Sequence, residues 1–71
     1  MATSVEAQIT GRVFRIEVAV GDAIDEGGVL LVLESMKMEI PVESPRAGRV
    51  RELRVGEGDA VEEGDVLAVI V

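Results

Sequence analysis

Residues 5–34 read VEAQITGRVFRIEVAVGDAIDEGGVLLVLE, and residues 42–71 read VESPRAGRVRELRVGEGDAVEEGDVLAVIV. Laid over one another with a shift of 37 positions (48 minus 11), they agree at 14 of 30 positions without a gap. Gly11-Arg12-Val13 falls on Gly48-Arg49-Val50, and Gly21-Asp22-Ala23 on Gly58-Asp59-Ala60. Glu26-Gly27 falls on Glu63-Gly64, and Val29-Leu30 on Val66-Leu67. The chain is therefore one unit written twice, and the fold must be one that this unit builds by duplication.

Each copy reads as β. Val5, Ala7 and Ile9 alternate with Glu6 and Gln8, the pattern of a half-buried strand. Phe14, Ile16, Val18 and Val20 alternate with Arg15, Glu17 and Ala19, which predicts a second strand with Phe14 facing inward. The apolar runs Val29–Leu33 and Val66–Val71 suit strands buried on both faces. Gly21-Asp22, Gly58-Asp59 and Gly64-Asp65 are turn dipeptides, and Gly27-Gly28 allows a left-handed backbone. No segment holds a helical period between caps. Four short strands per copy predict an antiparallel sandwich or barrel of two sheets related by a pseudo-two-fold axis. The two chain ends should then meet at the end of the domain opposite the junction between the copies.

Composition removes several function classes. There is no cysteine, hence no disulfide, thiolate metal site or thiol nucleophile. There is no histidine, the commonest general base and metal ligand. The net charge of −7 opposes nucleic-acid binding, and one phenylalanine without Trp or Tyr offers no base-stacking platform. A chain of 71 residues is expected to be one domain, residues 1–71, burying roughly 60% of the surface it exposes when unfolded. The start shows no basic region followed by an apolar one, so no signal peptide is expected, and no apolar run reaches the length of a membrane span. A cytoplasmic protein is the expectation.

The junction between the copies, Glu34-Ser35-Met36-Lys37-Met38-Glu39-Ile40-Pro41, breaks local rules. It contains Lys37, the only lysine among seven basic residues; the other six are Arg12, Arg15, Arg46, Arg49, Arg51 and Arg54. A two-residue hairpin loop favours Asn-Gly or Asp-Gly, because both central residues need positive φ. Here the pair would be Met36-Lys37, with Glu34 facing Glu39, and like charges placed opposite destabilise a sheet. Such conflicts are expected at functional sites. A longer, relaxed loop is the alternative. Met38 lies in phase with Ile40 and Val42 and is expected to be partly core. Met36 at the tip would give an adaptable apolar contact to partners.

The junction resembles the biotin-attachment motif of biotin carboxyl carrier proteins and biotinyl domains, whose core is Met-Lys-Met. The two segments Gly21–Gly27 and Gly58–Gly64 also look like those of the biotin/lipoyl attachment family. The likeness covers essentially the whole chain and is greatest to the free-standing bacterial biotin/lipoyl attachment proteins. It implies an all-β flattened barrel (a barrel-sandwich hybrid) of two four-stranded antiparallel sheets, with the modified lysine at a hairpin tip. Some carriers of the family have a protruding insertion in the first half. The gapless match of the two copies leaves no room for it here.

By the resemblance, Lys37 would carry covalent biotin, with Met36 and Met38 as flanking recognition residues. Glu34, Ser35 and Glu39 would serve partner recognition, with no catalytic or metal-binding residue. The implied partners are a biotin protein ligase, a biotin carboxylase and a carboxyltransferase. A monomeric, non-catalytic carrier would shuttle CO₂ as carboxybiotin between the last two. Two alternatives remain. Lipoyl domains of the same fold usually carry Asp-Lys-Ala at this place, so Met-Lys-Met disfavours a lipoyl carrier. An unmodified barrel acting as an interaction module would have no need of the tip lysine.

Overall fold

A computed structural model describes residues 1–71 and contains eight strands and no helix. The strands are β1 (Thr3–Glu6), β2 (Gly11–Ile16), β3 (Ala23–Ile24), β4 (Val29–Ser35), β5 (Met38–Glu43), β6 (Gly48–Leu53), β7 (Ala60–Val61) and β8 (Val66–Ile70). They form two antiparallel four-stranded sheets, ordered β1-β8-β6-β3 and β5-β4-β2-β7. Exchanging the copies turns the first order into the second, which is the pseudo-two-fold expected from the repeat. Each sheet draws two strands from each copy, so neither copy owns a sheet. Neither β1 with β5 nor β3 with β7 is paired, so the barrel is flattened rather than closed. The β1/β5 gap forms a groove of about 430 Å³ lined by Val5, Ile9, Leu33, Ile40 and Val42 among others. The body is elongated, 32 × 17 × 17 Å, and Thr3 pairs with Ile70 at the chain ends.

The residues repeated between the copies are those that dock one copy on the other. Gly21 N–H donates to Val50 O (2.8 Å), and Val50 N–H donates to Asp22 O (2.9 Å). The mirror pair is Gly58 N–H to Val13 O (2.8 Å) and Val13 N–H to Asp59 O (2.8 Å). Each turn is tied internally: Asp22 Oδ2 accepts from Ala19 N–H, and Asp59 Oδ2 from Gly56 N–H. Gly21 and Gly58 adopt φ of 98° and 93°, a region open to glycine and costly to other residues. Arg12 Nη1 donates to Gly58 O and Arg49 Nη1 to Gly21 O, again across the copies.

Four bulges, at Phe14, Leu30, Arg51 and Leu67, interrupt the ladders and obey the same symmetry. They shape the core. Leu31 and Leu33 pack with Ala7, Val13, Val61 and Leu67; Leu30 packs instead with Val5, Val50, Ala68 and Ile70. Each bulged leucine thus enters the cluster opposite to that of its strand neighbours, which interlocks the two halves. Leu30 and Leu67 are both fully buried.

The bulge at Phe14 corrects the expected phase of β2. Val13 is buried and Phe14 is exposed, because the extra residue shifts the ladder from Val13↔Leu33 to Arg15↔Val32. The Arg15 guanidinium lies 5.6 Å from the Phe14 ring centroid and covers it. Val20, expected inward, is also exposed, since β2 ends at Ile16. The first strand spans Thr3–Glu6 rather than running to Ile9. Ala7 leaves the ladder because its N–H donates to Asp65 O and its carbonyl accepts from Gly64 N–H.

Gly21→Val and Gly58→Val should each lower the unfolding free energy by at least about 1–2 kcal/mol, the cost of forcing a side chain into the left-handed region. Urea unfolding of the purified variants checks this; unchanged midpoints would contradict the docking role of these turns.

Candidate functional site

Strands β4 and β5 form the longest hairpin, and its tip is the junction between the copies. The register Leu33↔Ile40, Glu34↔Glu39, Ser35↔Met38 leaves Met36-Lys37 as a two-residue loop. Met36 has φ 52° and Lys37 φ 66°, the only non-glycine residues with positive φ. Positive φ at both central positions is the signature of a type I′ turn, whose twist matches that of the flanking strands. The sequence supplies neither Asn nor Gly there, so the tip holds two residues in a disfavoured conformation. The relaxed longer loop is thereby ruled out.

The strained tip is fixed from beneath. Ser35, half-buried, donates its Oγ–H to Thr10 O at 2.9 Å, tying the hairpin to the loop before β2. Gly11 passes so close to β4 that a Cβ there would lie 2.6 Å from Glu34 O. The Ser35 side chain, expected from the resemblance to serve partner recognition, ties down the outer end of β4 through its bond to Thr10 O. Thr10 and Gly11 were not singled out for the site, although the Gly11/Gly48 identity between the copies was their visible signal.

Lys37 is exposed, and Met36 and Met38 flank it at 89% and 59% exposure. Met38 is therefore not partly core. It keeps the phase of Ile40 and Val42, but the tip projects beyond the end of the packed interior. Glu34 and Glu39 lie directly opposite one another, both exposed. The two ion pairs of the structure, Arg15–Glu17 (3.2 Å) and Glu52–Arg54 (3.5 Å), include neither glutamate nor Lys37. Arg12 sits opposite Glu34 in the ladder, yet its guanidinium goes to Gly58 O. The tip thus presents an unpaired primary amine between two thioethers, with an anionic pair one step below. No group of three or more acidic side chains converges to hold a metal ion.

With this geometry in place, the comparisons with known proteins are specific. The biotin/lipoyl family, described as "Biotin-requiring enzyme", matches residues 1–70, and the chain belongs to it. The biotinylated protein TB7.3 of Mycobacterium tuberculosis is 55% identical over 42 residues, 59% of each chain. The biotin/lipoyl attachment protein of Bacillus subtilis is 47% identical over 39 residues, 55% of this chain and 53% of the relative. The matched stretch thus spans well under two thirds of these relatives. Among solved structures, Kluyveromyces lactis urea carboxylase contains a segment superposing with TM-score 0.95 at 37% identity, covering 100% of this chain and 6% of that one. A single-chain, multi-domain long-chain acyl-CoA carboxylase matches with TM-score 0.90 at 34% identity, over 96% of this chain and 7% of that one.

Two variants test whether the tip is strained and anchored in this way. Replacing the loop by Met36→Asn with Lys37→Gly should raise stability by about 1–2 kcal/mol, because the left-handed region then suits both residues. Ser35→Ala should lower it by about 1 kcal/mol through loss of one hydrogen bond. Thermal unfolding measures both; a loop replacement that destabilises would show that Met36 and Lys37 are not strained.

Proposed function

We propose that the chain is a biotin carrier domain that accepts biotin on Lys37 and presents it to the active sites of a biotin-dependent carboxylase. The observation that carries this reading is the placement of the only lysine, exposed and unpaired, at the two-residue tip of a hairpin in a chain of the biotin/lipoyl family. The mycobacterial relative is named as biotinylated, and both solved relatives are carboxylases.

The residues present fit the group. Amide formation needs one accessible primary amine with room for a ligase around it, and Lys37 at the loop apex is such an amine. The Lys37 Nζ, once freed of its proton by the ligase, would attack the carboxyl carbon of biotin activated as an acyl-AMP; the carbon–oxygen bond to the phosphate would break, AMP would leave and an amide bond would form. Met36 and Met38 offer the ligase its apolar contact at the tip, and Glu34 and Glu39 an anionic one for basic groups. When bound, biotin supplies a ureido nitrogen that takes up a carboxyl group at a biotin carboxylase and yields it at a carboxyltransferase. The chain itself contributes no acid, base or nucleophile to those steps. It contributes position: a rigid barrel carrying a long flexible arm raises the effective concentration of the cargo at both sites. In this reading the chain works in the cytoplasm, where ligase and carboxylase meet it.

Lys37→Arg keeps the charge and should fold like the parent, but should take no biotin when incubated with a biotin ligase, ATP and biotin. A streptavidin blot reads the result, and labelling of the arginine variant would overturn the assignment. Incubation with a lipoate ligase in parallel should leave the parent unmodified; lipoylation would move the chain to the lipoyl carriers.

A further inference from the structure

The chain's oxidisable side chains are few and confined in space. It has no Cys, His, Trp or Tyr, which leaves three methionines. All three are exposed: Met1 at 105%, Met36 at 89% and Met38 at 59%. The buried residues are Val, Ala, Leu and Ile with one serine, so no thioether takes part in the core. Apart from the first residue, the whole capacity of this protein for two-electron sulfur oxidation lies on either side of Lys37. Reactivity of a thioether follows its exposure, and these two stand at the apex of the hairpin.

We infer that Met36 and Met38 form a peroxide-oxidation site that governs whether Lys37 can be loaded; the loading part rests on the carrier reading above. Hydrogen peroxide delivers one oxygen to the thioether: a sulfur lone pair forms the S–O bond and the O–O bond breaks. Sulfur loses two electrons, and the peroxide leaves as water. The product is a polar, chiral sulfoxide in place of a flexible apolar group. Met36 and Met38 are the exposed large apolar side chains of the tip, so their oxidation removes the apolar contact that a loading enzyme finds around the amine. The barrel itself is untouched, because its core holds no sulfur. Oxidation therefore acts on recognition and leaves the fold intact.

The test uses the unmodified full chain, partly oxidised with hydrogen peroxide and mapped by mass spectrometry. Sulfoxide should form at Met36 and Met38 at rates comparable to Met1, with no change in thermal unfolding. The mixture is then given briefly to a biotin ligase with ATP and biotin, and sulfoxide occupancy is compared between biotinylated and unreacted pools. Tip sulfoxide should be depleted about tenfold in the biotinylated pool, the scale expected from losing buried thioether contacts, while sulfoxide at Met1 should divide evenly. A Met36→Leu, Met38→Leu variant should load at a rate that peroxide does not alter. Equal tip-sulfoxide occupancy in both pools would overturn the inference, as would a tip that resists peroxide while Met1 reacts. If even the unoxidised chain takes no biotin, the carrier reading fails and the loading claim falls with it. The oxidation map and melting curve then still decide whether the tip is an oxidation site.

Discussion

The structure depends on a backbone exchange between the two copies. Gly21-Asp22 closes on Val50, and Gly58-Asp59 closes on Val13. Each contact joins a tight turn of one copy to the bulged strand of the other, and each requires a glycine that tolerates positive φ. The sheets are assembled in the same crossed manner, with β1 and β3 of the first copy beside β6 and β8 of the second. A single copy has half of two sheets and no complete core. Duplication here produces one cooperative body rather than two beads.

That crossed assembly explains how so small a chain can hold a strained loop. The tip residues Met36 and Lys37 adopt left-handed φ without the glycine found at the other turns. The β4–β5 ladder beneath them is long, and its tip end is held by the Ser35–Thr10 bond and by the close passage of Gly11. Leu31 and Leu33 fix β4 in one core cluster while Leu30 fixes it in the other. The result is an exposed amine whose direction is set by the whole barrel. For the carrier proposed above, that rigidity would leave less ordering to be done when a partner binds the tip.

Much of this was legible in the sequence. The repeat dictated two equivalent sheets, the meeting of the chain ends, and the position of the junction. The missing Asn-Gly at Met36-Lys37 identified the tip as a place where stability had been set aside. What could not be read was the phase of β2. Phe14 continues the alternation of Ile16 and Val18, and nothing local says that Val13 will be seized by Gly58 and Asp59 from the other copy. Tertiary contact overrode the local pattern there, and Phe14 turned outward under Arg15. The burial of both Leu30 and Leu31 was legible in the unbroken apolar run, but the bulge that sends them into opposite core clusters was not. At the tip, Met38 kept its predicted phase but not its predicted burial, because phase says which side a residue faces and not where the core ends. The bond from the Ser35 hydroxyl to Thr10 O was not legible either, since only the folded loop before β2 creates it.

The account turns on Lys37 being the acceptor. The most direct measurement is the intact mass and peptide map of the wild-type chain after incubation with a biotin ligase, ATP and biotin. The account predicts a gain of one biotinyl group, located wholly on the peptide that contains Met36, Lys37 and Met38. An unchanged mass with the ligase active on a control acceptor, or a biotinyl group found on the α-amine of Met1, would contradict it.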